Sequence, residues 1–263
     1  MDNLLEELTI DRLQVRIYAD RAALGAAAAQ AVAADMRAAL QSAARARMIF
    51  AAAPSQNEML AELGALPGID WPRVTALHMD EYVGLSGDAP QSFARYLREH
   101  LFARVRPGAV HYLNGLADPA AECARYAGLL AEGPIDIVCG GIGENGHLAF
   151  NDPPDADFED PLTVKVVRLA QRSREQQVHD GCFPTLAVVP TQALTVTIPV
   201  LVGAAHLHIC VPGPTKAQAV HDTLLGPISA ACPATILRRH PSAVLYVDRD
   251  SAALFLAERG RQP

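Results

Sequence analysis

Short runs rich in apolar and β-branched residues recur along this chain, and stretches with helical patterning separate many of them. Nine runs read as strands. They are Leu13–Tyr18 (LQVRIY), Arg47–Ala52 (RMIFAA), Arg73–Met79 (RVTALHM), Ala109–Leu113 (AVHYL) and Ile135–Gly140 (IDIVCG). Thr163–Leu169 (TVKVVRL), Leu194–Ile198 (LTVTI), His206–Val211 (HLHICV) and Ala243–Val247 (AVLYV) follow. The spacing predicts helices at about 20–45, 56–65, 90–104, 118–132, 214–225 and 251–258. Strand, helix and strand in this order make crossover connections, and hence a mostly parallel sheet with helices on both faces. Several runs are nearly continuous in apolar residues, as burial on two sides requires. The expected fold is α/β, a single-domain Rossmann-like three-layer sandwich with a mostly parallel sheet. No repeat, linker or charge block divides residues 1–263, which read as one domain.

Composition narrows the partners. A net charge of −7 argues against a nucleic-acid surface. A small anionic ligand stays compatible with it, because a pocket can be locally basic on an acidic protein. No apolar run reaches about 18 residues, so no membrane span is expected. The start, MDNLLEELTI, lacks a basic segment ahead of an apolar core and reads as no signal peptide. Cys123, Cys139, Cys182, Cys210 and Cys232 show no metal or disulfide spacing. Free thiols in a reducing cytoplasm are the expectation. His206 and His208 share a strand face, but without a third ligand they read as packing, and no metal is expected.

In open α/β sheets ligands bind beyond the carboxyl ends of the strands. Four polar stretches follow strands directly: APSQNE (Ala53–Glu58), DEYVGL (Asp80–Leu85), GIGENGHLAFND (Gly141–Asp152) and PGPTK (Pro212–Lys216). The third holds Gly141, Gly143 and Gly146 in the spacing of a dinucleotide turn. Such a turn needs a helix to begin at once. Here Pro153, Pro154 and Pro161 follow, and proline blocks helix propagation. The stretch reads instead as a polar loop carrying His147 and Asp152. For an isolated Asp80-Glu81 pair, helix capping would be the simpler reading. A second loop brings a histidine and another carboxylate to the same edge, which is an inventory for moving protons. Lys216 in the first turn of a helix, with Ser55, Gln56 and Asn57 at a second helix start, suggests a bound phosphate. Arg172 and Arg174 in QRSREQQ are further cations, or a solvated helix face.

These motifs resemble the glucosamine-6-phosphate deaminase (isomerase) family, which is related to 6-phosphogluconolactonases. The resemblance runs from RMIFAAAPSQNEML to LRRHPSAVLYVD. Its anchors are MDEYVGL and GGIGENGHLAFNDPP, and the HLAFN continuation is similar to the deaminase branch. The resemblance implies conversion of an amino-sugar phosphate, glucosamine 6-phosphate, to fructose 6-phosphate and ammonia, without a cofactor. Asp80 would shuttle a proton between C1 and C2, and His147 would help to open the sugar ring. Asn145 and Asp152 stand where many members have Asp and Glu. Asn145 can orient His147 but holds no charge, and Asp152 could supply that charge only if the loop moves inward. Lys216 would bind phosphate, Arg174 is matched to the phosphate arginine, and Gly143 with Ser55-Gln56 would complete the site. Members are often oligomeric, so a homo-oligomer is left open. The alternatives are a 6-phosphogluconolactonase-like hydrolase and a weakly catalytic sugar-phosphate-binding protein.

Overall fold

The computed structural model describes residues 3–153 and 155–261. Pro154, one of the prolines set against a helix after Gly143, lies outside the described residues. The strands are β1 (Leu4–Ile10), β2 (Leu13–Tyr18), β3 (Ala46–Phe50), β4 (Val74–His78), β5 (Asp80–Tyr82) and β6 (Ala109–His111). They continue with β7 (Ile137–Gly140), β8 (Val164–Arg168), β9 (Gln192–Val196), β10 (His206–Val211) and β11 (Ala243–Asp248). The α-helices are α1 (Arg21–Ser42), α2 (Asn57–Ala65), α3 (Phe93–Leu97), α4 (Ala103–Val105) and α5 (Pro119–Leu130). After them come α6 (Gln171–His179), α7 (Ile198–Val202), α8 (Ala217–Leu225) and α9 (Ala253–Arg259).

Eight strands form one sheet in the order β1-β2-β11-β10-β7-β3-β4-β6. Only the β1–β2 pairing is antiparallel. The central strands are buried along almost their whole length because each face carries its own core. Ile49, Val138, Ile209 and Leu245 feed one core; Met48, Phe50, Ile137, Cys139, Cys210 and Tyr246 feed the other. The alternation follows from the strand period of two. Helix α1 covers the second face with a stripe of Leu24, Ala28, Val32, Met36 and Leu40, and Asp20 caps it by accepting from the Ala23 N–H at 2.8 Å. His208 is buried, between the Asp35 carboxylate (2.8 Å) and the Tyr246 hydroxyl (3.1 Å), which matches its reading as packing.

Strand order places the site. From β3 the chain moves outward to β4 and β6. It then returns to lay β7 on the other side of β3, and β10 and β11 follow in the opposite direction. The reversal between β3 and β7 leaves a crevice at their carboxyl ends.

The sequence reading departs from this structure at several points. The runs at 163–169 and 194–198 do not join the large sheet. They form β8 and β9, which pair antiparallel with each other and, through β9, with the unforeseen β5. The burial of β8 alternates, with Val166 and Arg168 exposed, so it needs cover on one side only. The apolar run ending in IPV is broken at Ile198, where Pro199 sits in the first turn of α7. The helix expected at 90–104 is α3 and α4 joined by a π-type segment, Arg98–Phe102. No described helix is long and apolar enough to cross a membrane.

Candidate active site

The two carboxylates of MDEY lie where the chain passes from the large sheet to the small one. Pairing with β9 (Asp80↔Thr195, Glu81↔Leu194) holds them extended, so their side chains point opposite ways. Glu81 is fully buried and caps α3. Its carboxylate accepts from the Ser92 hydroxyl (2.7 Å) and from the N–H groups of Ala94 (3.0 Å), Phe93 (3.3 Å) and Tyr82 (3.0 Å). Asp80 lines a cavity instead. No hydrogen bond to its carboxylate is found among the described residues. Burial, and then the neighbouring charge of Glu81, raises its pKa well above the usual carboxylate range.

That cavity opens at the carboxyl ends of β3, β4, β7 and β10. The loop after β7 brings His147 into its wall. The loop closes on itself through Gly143 N–H to His147 C=O (3.0 Å) and Gly146 N–H to Gly143 C=O (3.0 Å). Two glycines are required here. A Cβ on Gly143 would overlap the His147 ring, and Gly146 takes φ +83 against Cys232. Ala149 also adopts a left-handed φ of 49, strain held in place by the surrounding bonds.

His147 is wired from behind. Its Nδ1 lies 2.7 Å from Asn145 Oδ1, 3.0 Å from Ser173 Oγ and 3.0 Å from Asp152 Oδ1. Asp152 is itself pinned by Asn145 Nδ2 (3.0 Å), the Ala170 N–H (3.1 Å) and the Ser173 hydroxyl. Burial opposes its charge, but the bonds to His147, Asn145 and Ser173 outweigh that and hold its pKa below the usual range. An ionised carboxylate only accepts, so Nδ1 carries the proton and Nε2 is left for a ligand. The inward movement that the sequence reading required of Asp152 is already present. The bond between Leu148 and Asn151 and the Asn151 amide, which donates to Leu148 O and Val196 O, draw the loop in.

The same cavity is also lined by Ser55, Gln56, Gly143, Gln176, Gln177 and Lys216. Lys216 is 5% exposed. Burial lowers its pKa, against the attraction of Asp180 and Glu144. Gln56 is fixed by its Nε2, which donates to Ser55 Oγ (3.0 Å) and Cys210 O (3.2 Å). Three expected residues do not reach the cavity. The Asn57 carboxamide accepts from the Tyr96 hydroxyl. Arg174 donates to the carbonyls of Leu186 (2.8 Å) and Val189 (2.9 Å), bracing that turn. Arg172 is exposed. On α6 the buried face is Ser173, Gln176 and Gln177, and Arg174 lies about 100° round from Ser173. The spacing of 173, 176 and 177 is a one-face helical signal that a search for cations passes over. Ser173, Gln176, Gln177, Phe93 and Phe150 are the site residues that the sequence reading missed.

Fold and site together define an α/β protein with an acid–base cavity at the switch point of a parallel sheet. The model of the glucosamine-6-phosphate isomerases/6-phosphogluconolactonase family matches residues 19–246, and the chain belongs to that family. It is 40% identical to a glucosamine-6-phosphate deaminase of Listeria innocua over 187 residues, 71% of this chain and 78% of the relative. It is 36% identical to one of Bacillus thuringiensis, over 71% of this chain and 70% of the relative. Among solved structures, a monomeric glucosamine-6-phosphate deaminase superposes with a TM-score of 0.83 at 29% identity, covering 91% of this chain and 99% of its own. A 6-phosphogluconolactonase of Shewanella baltica superposes at 0.75 with 18% identity, covering 93% and 99%, and is similar in fold.

Proposed function

We propose that this chain is an enzyme that deaminates and isomerises an amino-sugar phosphate, glucosamine 6-phosphate, to fructose 6-phosphate and ammonia. The observation that carries the reading is the meeting of Asp80, at the start of β5, with His147, from the loop after β7, in one cavity.

His147 Nε2 moves a proton between the anomeric hydroxyl and the ring oxygen, opening the sugar. Asp152 and Asn145 act through Nδ1, orienting the ring and stabilising the imidazolium that forms. Asp80 then removes the proton at C2 of the open aldehyde, giving an enolamine, and returns it to C1. The resulting C2 iminium adds water and releases ammonia. A base that both accepts and returns a proton works best with a pKa near the working pH. The upward shift of Asp80 is in that direction. Lys216, Ser55, Gln56 and Gly143 lie where the phosphate would be held.

Lactone hydrolysis needs no carbon base, so a buried carboxylate beside the sugar favours deamination over the lactonase alternative. The free thiols of Cys139 and Cys210 fit a cytoplasmic enzyme. Purified protein should release ammonia and fructose 6-phosphate in equal amounts from glucosamine 6-phosphate without added metal. Release of neither product would remove the reading.

A further inference from the structure

The cavity is short of positive charge. Lys216 is the one Lys or Arg in its wall among the described residues, and it already feels Asp180 and Glu144. Arg174 is turned to two carbonyls instead. In its place α6 presents Gln177, which is 7% exposed, lines the cavity and shows no side-chain hydrogen bond among the described residues. Its neighbour Gln176 is committed, accepting from the Glu144 N–H (2.9 Å) and donating to Asp180 (3.2 Å). Gln56 is fixed the other way round. A carbonyl can only accept, so the contact with Cys210 O identifies the Gln56 nitrogen, and its Oε1 is left buried without a partner. The wall thus offers an ammonium and, at Gln177, a carboxamide that can both donate and accept.

We propose that Gln177, with Lys216 and Gln56, determines specificity for the substrate's terminal group, and that this clamp selects a group carrying at most one negative charge and a proton of its own. A phosphate dianion brings a second charge that the wall does not balance, and no hydrogen for an acceptor. A hydrogen-phosphate monoester meets both conditions, and so does the hydroxyl of an unphosphorylated amino sugar. The proposal rests on the amino-sugar reading above and names the form of substrate that binds.

The test is calorimetric titration of the whole chain with fructose 6-phosphate at pH 5.5 and 7.5, with fructose 6-sulfate, of constant charge, as reference. The titratable groups around this site are Asp80, His147 and Lys216 in the cavity wall, with Glu144 and Asp180 beside Lys216. The reference ligand experiences their ionisation equally. With a second phosphate pKa of about 6, the monoanion fraction falls about 25-fold between the two pH values. The affinity for fructose 6-phosphate, relative to the sulfate, should fall by that factor. Q177R adds a second cation and should flatten the profile, whereas Q177A should weaken both ligands. If glucosamine and fructose bind and fructose 6-phosphate does not, the proton comes from a sugar hydroxyl, and the clamp stands without the phosphate. A level ratio between the two pH values, or no effect of either variant, overturns the clamp. Ammonia release is followed separately: release with a level ratio sinks the clamp alone, and the expected ratio without release sinks the deaminase reading alone.

Discussion

Two groups of residues in the cavity wall are built differently. Around His147 every polar group has partners: Asn145, Asp152, Ser173 and the Ala170 N–H form one closed network. The Lys216 ammonium and the Gln177 carboxamide, by contrast, show no side-chain hydrogen bond among the described residues. The first arrangement fixes a ring to within a narrow range of orientations before substrate arrives, which is what proton transfer demands. The second leaves its hydrogen bonds to be made with a ligand. Asp80 stands between them in character, buried like the network and unpaired like the clamp.

The sharpest way to break the comparison is at Asp80. D80N keeps the shape and removes the base, so kcat should fall by about 10³-fold or more while KM changes little. Normal turnover in that variant would end the proposed mechanism. D152N tests the network. Loss of an outer partner of this kind costs about 10–100-fold, and the loss should appear in kcat. An equal loss with the open-chain substrate would move the role of His147 away from ring opening.

Lys216 tests the clamp. K216A should raise KM about tenfold with kcat held, and an unchanged KM would take Lys216 out of the binding site. The smallest effect on catalysis belongs to Arg174, which braces a turn. R174A should leave KM unchanged while lowering stability by about 1–3 kcal/mol, the loss of two part-buried hydrogen bonds. A KM rise to match K216A would restore the arginine to the site.

The same carboxylates separate in their effect on stability. Asp80 has a raised pKa, so its ionised form is the penalised one. The penalty is present above its folded pKa and is relieved as pH falls through it. D80N should therefore raise Tm at pH 8 by more than at pH 5. Asp152 has a lowered pKa, so it contributes stability above the ordinary carboxylate value of about 3.9, lost as pH falls below it. D152N should lower Tm at pH 7, with the gap closing under acid. Thermal melts across pH decide both, and gaps that do not move with pH would contradict the assigned charge states.

Much of this was legible in the chain before any coordinates. The apolar strands of the large sheet announce themselves because burial on two faces admits few polar residues, and the carboxyl-edge rule then picks out Asp80, His147, Gln56 and Lys216. What was hidden depends on side-chain direction. Arg174 and Gln177 are three residues apart on one helix, and charge alone favours the wrong one. Glu81 and Asp80 are adjacent, and only the pairing of β5 shows which of them caps α3. The small sheet escaped because β5 has three residues, too few for a period to register, and β1 because its side chains are largely exposed.

The three-residue ladder between β5 and β9 has a consequence for how this protein can change. Sliding β5 by one residue would exchange the two carboxylates, bringing the longer Glu81 side chain toward the sugar and leaving Asp80 to reach for the start of α3. The strands of the large sheet would keep their own register, and the cost would fall on Tyr82 and the rings of Phe93, Phe150 and Phe183 packed against it. The small sheet therefore works as an alignment jig, and an insertion or deletion in the turn from β4 to β5 would extinguish turnover in a molecule that still melts as a folded one.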